Sequence, residues 1–113
     1  MELELFTTEA ATFAISATAT ASTGAALQGN GNSVRLVNEG PNACFIAIST
    51  DSGVVATLPV ASASAGSAVN TANPVLAGED VVFRVQYNQT LYISAICRSG
   101  QTAVLDVTRS YGA

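Results

Sequence analysis

Few side chains in this sequence of 113 residues could act together as acids, bases or metal ligands. One pair of carboxylates is adjacent along the chain, Glu79 and Asp80, between Gly78 and an apolar run that begins at Val81. Together with Asp51 or other loop oxygens, the pair could bind Ca²⁺, which prefers carboxylate and carbonyl ligands. We favour the simpler interpretation that both carboxylates are solvated at the start of a strand, and the sequence therefore predicts no metal site.

The two cysteines, Cys44 and Cys97, lie inside the apolar runs CFIAI and ISAIC. Free cysteine is among the most frequently buried residue types, so two buried free thiols are the favoured interpretation. A disulfide between neighbouring strands is the alternative that the sequence leaves open. A cysteine metal site is not expected, because the sequence has no His and no CxxC spacing.

The residue types that most enzymes need are missing. Without His the chain lacks the commonest general base, and without Lys it cannot form a Schiff base. No Ser stands in a GxSxG nucleophile turn, and no glycine-rich phosphate-binding motif is present. We therefore predict that the protein is not an enzyme, with no catalytic residue, no cofactor-binding residue and no cofactor.

Three arginines lie on or beside the C-terminal strand-like runs. Arg84, Arg98 and Arg109 could pair across strands with Asp106 or Glu79, since opposite charges on neighbouring strands attract. They could instead anchor a protein interface, where Arg is enriched. The sequence leaves both roles open.

Charge is scarce in this chain. Charged residues make up 11% of the sequence, the net charge is -4 and there is no Lys, so neither nucleic acid nor an anionic membrane is an expected partner. Either partners cover much of the surface, or Ser, Thr, Asn and Gln supply its polarity. The acidic start MELELFTTEA does not resemble a signal peptide, and no apolar run reaches 18 residues, so we expect folding in the cytoplasm where the protein is made.

The elements that would position these side chains are strands. Apolar and polar residues alternate with a period of two, and clusters of Gly, Asn, Asp and Ser separate the runs, which predicts an all-β, antiparallel β-sandwich with about seven to nine short strands. The predicted strands are Phe13–Ala21, Val34–Asn38, Ala43–Thr50, Val54–Leu58, Val81–Tyr87, Leu91–Cys97 and Ala103–Arg109.

The predicted organisation is an N-terminal arm over residues 1–10 and a single sandwich domain over residues 11–113. The arm begins MELELF, which alternates acidic and apolar residues and could add an edge strand to this domain or to a neighbouring subunit. Residues 61–73 read as a long loop of small residues. Gly40-Pro41 is predicted to set the register of one strand pair, and Ser99-Gly100 to close a tight hairpin. Asn88-Gln89-Thr90 matches the N-x-T glycosylation pattern but is more simply a turn.

The order of these runs resembles a known family. The segments FAISATATAS, SVRLVNEGPNACFIAIST, NPVLAGEDVVFRV, LYISAICRSG and TAVLDVTRSYGA occur in that order over about residues 10 to 113. This looks like the small β-sandwich cement or decoration proteins on the capsids of tailed bacteriophages. The resemblance implies a jelly-roll-like fold with Gly40 and Gly78 in turns, Phe83 in the core and no catalytic residue.

The resemblance also implies a role and partners. We expect a virion structural protein that binds the outer capsid surface, contacts the major capsid protein and copies of itself as a dimer or trimer, and stabilises the shell. Two alternatives stay open. One is a head-fibre, tail or host-surface-binding component of the virion, and the other is a non-viral ligand-binding β-sandwich.

Overall fold

The computed structural model describes residues 7–8, 12–59 and 73–111, and all its regular elements are strands. No helix in these ranges is long and apolar enough to cross a membrane. The nine strands are β1 (Thr7–Thr8), β2 (Phe13–Ala17), β3 (Ala25–Leu27), β4 (Ser33–Pro41), β5 (Cys44–Ser49), β6 (Asn73–Val75), β7 (Asp80–Arg84), β8 (Leu91–Ile96) and β9 (Ala103–Tyr111).

The strands form two antiparallel sheets that pack face to face. The first sheet has the order β1-β9-β4-β7, with β2 also paired to β9 beside β1. The second sheet has the order β3-β8-β5-β6. The prediction of an all-β, antiparallel β-sandwich is confirmed.

The pairing follows the winding of a jelly roll. Along the chain, β2, β3, β4 and β5 pair in turn with β9, β8, β7 and β6, as the two arms of one long folded hairpin would. Successive pairs fall alternately in the first and second sheets, which closes the sandwich. The jelly-roll-like topology predicted from the sequence is therefore the observed one.

The core lies between the sheets and consists mainly of small and branched side chains. Alternate residues of each strand point inward, so β4 buries Val34 and Leu36 while β9 buries Leu105 and Val107. Phe83, predicted to be a core residue, is half-buried and packs against this cluster. The other buried core residues are Ile15, Ala17, Leu27, Cys44, Ile46, Val75, Leu91, Ile93, Ala95, Cys97 and Ala103.

Two predicted strand pairs are wrong because the chain changes sheets between their members. β4 and β5, on either side of Gly40-Pro41, lie in different sheets, and so do β8 and β9, which flank Ser99-Gly100. Gly40-Pro41, joined by a cis peptide bond, lies within β4 where its register against β9 shifts. The alternation of apolar and polar residues predicts where strands lie, but it does not predict which strands pair with each other.

Two predicted strands also differ from the structure. The strand predicted for Phe13–Ala21 ends at Ala17, because the chain then crosses to the second sheet, where Thr18 O accepts a hydrogen bond from Cys97 N at 2.7 Å. The segment 54–58 is irregular instead of a strand. It is held across the outer face of the second sheet by a hydrogen bond from Ala56 N to Ser94 Oγ at 3.0 Å.

Parts of two predicted regions lie outside the described residues. Of the predicted arm over residues 1–10, the structure describes Thr7 and Thr8, whose backbone pairs with Tyr111 and Ser110 of β9. Of the predicted loop over residues 61–73, it describes Asn73, the first residue of β6.

Candidate functional site

A cleft of about 500 Å³ opens between the two sheets on the side of the sandwich where β7 and β6 are the outermost strands. Among the described residues, its lining combines apolar with polar residues, and Arg84 is the one ionisable residue of the set. The apolar lining residues are Ile46, Ile48, Phe83, Val85 and Leu91, and the polar ones are Ser49, Thr50, Asn73, Arg84 and Gln86.

The edge strand β7 forms one wall of this cleft. Asn38 N donates to Glu79 O at 2.9 Å and Val85 N donates to Asn32 O at 2.8 Å, so the odd-numbered residues of this stretch bond towards β4. In an antiparallel ladder the intervening residues direct their N–H and C=O groups the opposite way. The backbone of Asp80, Val82 and Arg84 therefore points to the open edge, where no strand of the described residues pairs with it.

The described lining of the cleft brings hydroxyl- and amide-bearing residues and Arg84 around an apolar floor. A concave apolar surface with a few polar groups at its rim is typical of a binding site.

The adjacent carboxylates Glu79 and Asp80 have separate structural roles. Asp80 forms a two-pronged ion pair with Arg35, with Nε–Oδ1 and Nη2–Oδ2 distances of 3.0 and 2.6 Å. The hydrogen bond and charge of Arg35 lower the pKa of Asp80. Glu79 Oε1 accepts a hydrogen bond from Leu76 N at 3.0 Å and so closes the turn around Gly78. Within the described ranges, no group of three His, Cys, Asp or Glu side chains is arranged to hold a metal ion.

A second pair of carboxylates, unrecognised in the sequence, faces outward from the first sheet. Glu39 lies near Asp106 because β4 and β9 are neighbours, with Val37 directly opposite Asp106. The pKa of Glu39 is raised, first by a hydrogen bond with Asp106 and then by the negative charge of Asp106. The two residues are 67 positions apart in sequence, and only the register of β4 against β9 brings them together.

The arginines take roles that the sequence did not predict. Arg109 is 1% exposed and donates hydrogen bonds to the backbone oxygens of Gly31, Gly29 and Gln89 at 2.8–2.9 Å. This side chain is therefore inside the domain and not available to anchor an interface. The guanidinium of Arg98 lies 5.1 Å from the centre of the Phe45 ring.

The cysteines are two buried free thiols, as favoured from the sequence, and not a disulfide. Burial, with a smaller contribution from Cys97, raises the pKa of Cys44 to about 11. Burial also raises the pKa of Cys97. Because the thiolate is the reactive form, both residues are poor nucleophiles near neutral pH.

The remaining candidate residues are in turns or at the surface. Asn88 has a φ of 60° in the turn after β7, and Asn88 N donates to Asn30 O at 2.8 Å, in agreement with the predicted turn. The rings of Tyr87 and Tyr111 are 6.2 Å apart. Tyr92 lies on the second sheet, so the three tyrosines do not form one carbohydrate-binding platform.

Comparison with known proteins gives no relative from which a function could be carried over. No protein-family model, curated protein or solved structure matches this chain.

Proposed function

We propose that this protein is a structural component of a tailed-phage virion, a cement or decoration protein that binds the outer surface of the capsid and reinforces it. The observation that carries the proposal is that three of the four arginines of this jelly roll are engaged within the domain. Arg35 pairs with Asp80, Arg98 packs on Phe45 and Arg109 is buried. A partner that covers these residues desolvates little unpaired positive charge, which is otherwise costly.

The exposed apolar side chains supply contact area for such a partner. Val82 and Val104 project from the outer face of the first sheet, the face that also carries the Arg35–Asp80 ion pair and the carboxylates of Glu39 and Asp106. Interfaces of this mixed character, apolar at the centre and polar around it, are common between proteins. The large exposed apolar residues are Val55, Leu76, Val82, Tyr87, Val104 and Tyr111.

The mechanism is mass action. The protein binds the assembled shell and not its separated subunits, so each bound copy stabilises the assembled state by an amount that grows with its free concentration. Its partners are the major capsid protein and further copies of itself. Its location is the capsid surface, after synthesis in the host cytoplasm.

The test is to measure the copy number of this protein in purified phage particles whose genome encodes it. A copy number that matches the symmetry of the shell lattice, together with a lower melting temperature of particles stripped of the protein, is the expected result. Particles without the protein contradict the proposal. A copy number far below that of the shell subunits instead indicates a head-fibre, tail or host-binding component.

A matched pair of variants identifies the face that meets the shell. Val104→Glu adds an uncompensated charge beside the carboxylates of Glu39 and Asp106 on the outer face of the first sheet, and we expect at least about tenfold weaker binding to stripped particles. The control Val55→Glu makes the same change on the exposed segment that crosses the second sheet, where Val55 is 62% exposed. Equal binding by both variants contradicts this placement.

The cleft favours a second candidate function, that of a non-viral sandwich domain that binds a small ligand. Its volume and its combination of an apolar floor with Arg84, Asn73 and Gln86 suit a ligand with an apolar body and an acidic or amide group. A thermal-shift screen of sugars, carboxylates and metal ions tests this function. A monomer with a ligand-dependent rise in melting temperature, and with no binding to particles, supports it over the virion role.

A further inference from the structure

The open edge of β7 and the cleft beside it together form a site for one more strand. Within the described ranges no strand pairs with the outward backbone groups of Asp80, Val82 and Arg84, so these ladder positions can accept an extended segment. A strand added there has its alternate side chains on opposite faces of the first sheet. One set enters the cleft beside Phe83 and Val85, and the other lies on the outer face beside Arg84.

The chain itself contains a segment with the matching pattern. In MELELF, Met1, Leu3 and Leu5 alternate with Glu2 and Glu4. Laid along β7, the leucines fit the apolar floor of the cleft and one glutamate lies opposite the exposed Arg84. Residues 60–72 are a poorer match, because their sequence VASASAGSAVNTA has only two apolar side chains larger than Ala, and no charge.

Residues 1–6 of the same molecule cannot both reach this site and pair along it. Thr7 lies opposite Tyr111 of β9, and the order β1-β9-β4-β7 puts a strand added at β7 four spacings away. Four spacings are about 19 Å, whereas six extended residues span at most about 20 Å. Residues 1–6 would therefore be used up in crossing the sheet.

We propose that residues 1–6 of one copy add as a strand to β7 of a second copy, with Leu3 and Leu5 in the cleft and Glu2 or Glu4 beside Arg84. This inference does not depend on the virion role. Reciprocal exchange joins two copies as a symmetric dimer, and one-way exchange joins copies into rings. The arm thereby supplies the contact between copies and fills the cleft.

The first test is sedimentation velocity of the full chain over a range of concentrations. We expect self-association, weakened about tenfold or more by Leu3→Ser with Leu5→Ser and by Arg84→Glu. Arg98→Glu makes the same charge change in the turn after β8 and should leave association unchanged. Combining Arg84→Glu with Glu2→Arg and Glu4→Arg should restore the self-association that Arg84→Glu weakens. A wild-type protein that stays monomeric overturns the inference, as does association insensitive to these variants.

The second test locates the arm directly. Leu5→Cys in one chain and Thr50→Cys at the cleft rim of another, mixed under mild oxidation, should give a disulfide-linked heterodimer, whereas the native thiols are buried. Ser52→Cys, in an exposed turn, is the matched control and should give little disulfide-linked heterodimer. Absence of the heterodimer overturns the inference. So does a chain carrying both Leu5→Cys and Thr50→Cys that links only within itself, because the arm then fills its own cleft.

Discussion

The guanidinium of Arg109 organises the loops at one end of the sandwich. It donates to the carbonyl groups of Gly29 and Gly31 before β4 and to those of Gln86 and Gln89 between β7 and β8. These loops carry no regular ladder of their own, so one side chain supplies donors to the buried oxygen of Gly31 and to the partly buried oxygens of Gly29, Gln86 and Gln89. Arg109 therefore stabilises the arrangement of these loops, although its side chain is charged.

We therefore expect Arg109→Met to destabilise the fold by about 3 kcal/mol or more, because the apolar side chain removes the hydrogen bonds that join both loops, including the buried one to Gly31 O. The free energy of unfolding from urea titration is the measurement. Arg84→Met is the matched control, since Arg84 is exposed and its replacement should change stability by about 0.5 kcal/mol or less. Similar losses in the two variants would contradict the role of Arg109.

Glu39 and Asp106 make stability depend on pH. The pKa of Glu39 is raised in the folded state, so the folded protein binds a proton at Glu39 more tightly than the unfolded chain does. When Glu39 is ionised, its contact with Asp106 lowers the free energy of unfolding. The penalty is present above the raised folded pKa and disappears as the pH falls towards the unfolded value. Glu39→Gln should therefore stabilise the protein at pH 7 and confer a smaller advantage near pH 4. Unfolding titrations at both pH values measure this difference.

The control for that prediction is the Arg35–Asp80 pair, whose contribution to stability changes with pH in the opposite direction. Asp80 has a lowered pKa, so its contribution to stability is present above the unfolded pKa and is lost as the pH falls through the folded value. Asp80→Asn should consequently lower stability at pH 7 and lower it less in acid. If Glu39→Gln and Asp80→Asn shift stability in the same direction at pH 7, the carboxylate pairing is wrong.

Among the elements, the irregular segment 54–59 is bonded to the second sheet by the hydroxyl group of Ser94. Ser94 Oγ accepts a hydrogen bond from Ala56 N at 3.0 Å and donates one to Ser22 O at 2.6 Å. Ser94 is fully buried on the outer side of β8 beneath these two segments. This explains why a stretch predicted to be a strand is ordered without belonging to either sheet.

Ser94→Ala should leave both backbone groups without their partner and cost about 1–3 kcal/mol. The more specific readout is amide hydrogen exchange, in which Ala56 N–H should lose protection by a larger factor than the amides of β9. Ser49→Ala is the control, because the Ser49 hydroxyl bonds to the exposed Asp51 N. Uniform loss of protection throughout the domain would show that Ser94 acts on global stability and not on this segment.

The elements also show how far sequence reasoning reaches. Alternation located β4, β5, β7, β8 and β9 to within a few residues, because a half-buried strand imposes a period of two on its side chains. β3 and β6 are three residues long and too short to show a period. The pairing of Glu39 with Asp106 and the burial of Arg109 depend on strand order and loop paths, which no local pattern encodes.

At the scale of the whole molecule, the fold is closed by contacts between its two ends. β9, the last strand, pairs with β1 and β2 from the start of the chain and with β4 from its middle. The pairs that β1, β2 and β4 make with β9 therefore cannot form before β9 has been synthesised. Folds dominated by such distant pairings are slow to form and unfold as one unit.

This topology predicts the pattern of backbone protection. Amides of β9 and β4 in the first sheet, and of β8 and β5 in the second, have strand neighbours on both sides and should exchange only through global unfolding. Amides of β6 and β3, at the edges of the second sheet, should exchange through smaller openings. Native-state exchange in low concentrations of denaturant measures both classes.

In that experiment, the exchange free energies of β9, β4, β8 and β5 should converge on the unfolding free energy and share its denaturant dependence. The outer strands should show lower values with little dependence on denaturant. If β9 instead opens independently while β8 stays protected, the two sheets unfold separately. The rigid scaffold required by both the decoration role and the exchange of arms between copies would then be contradicted.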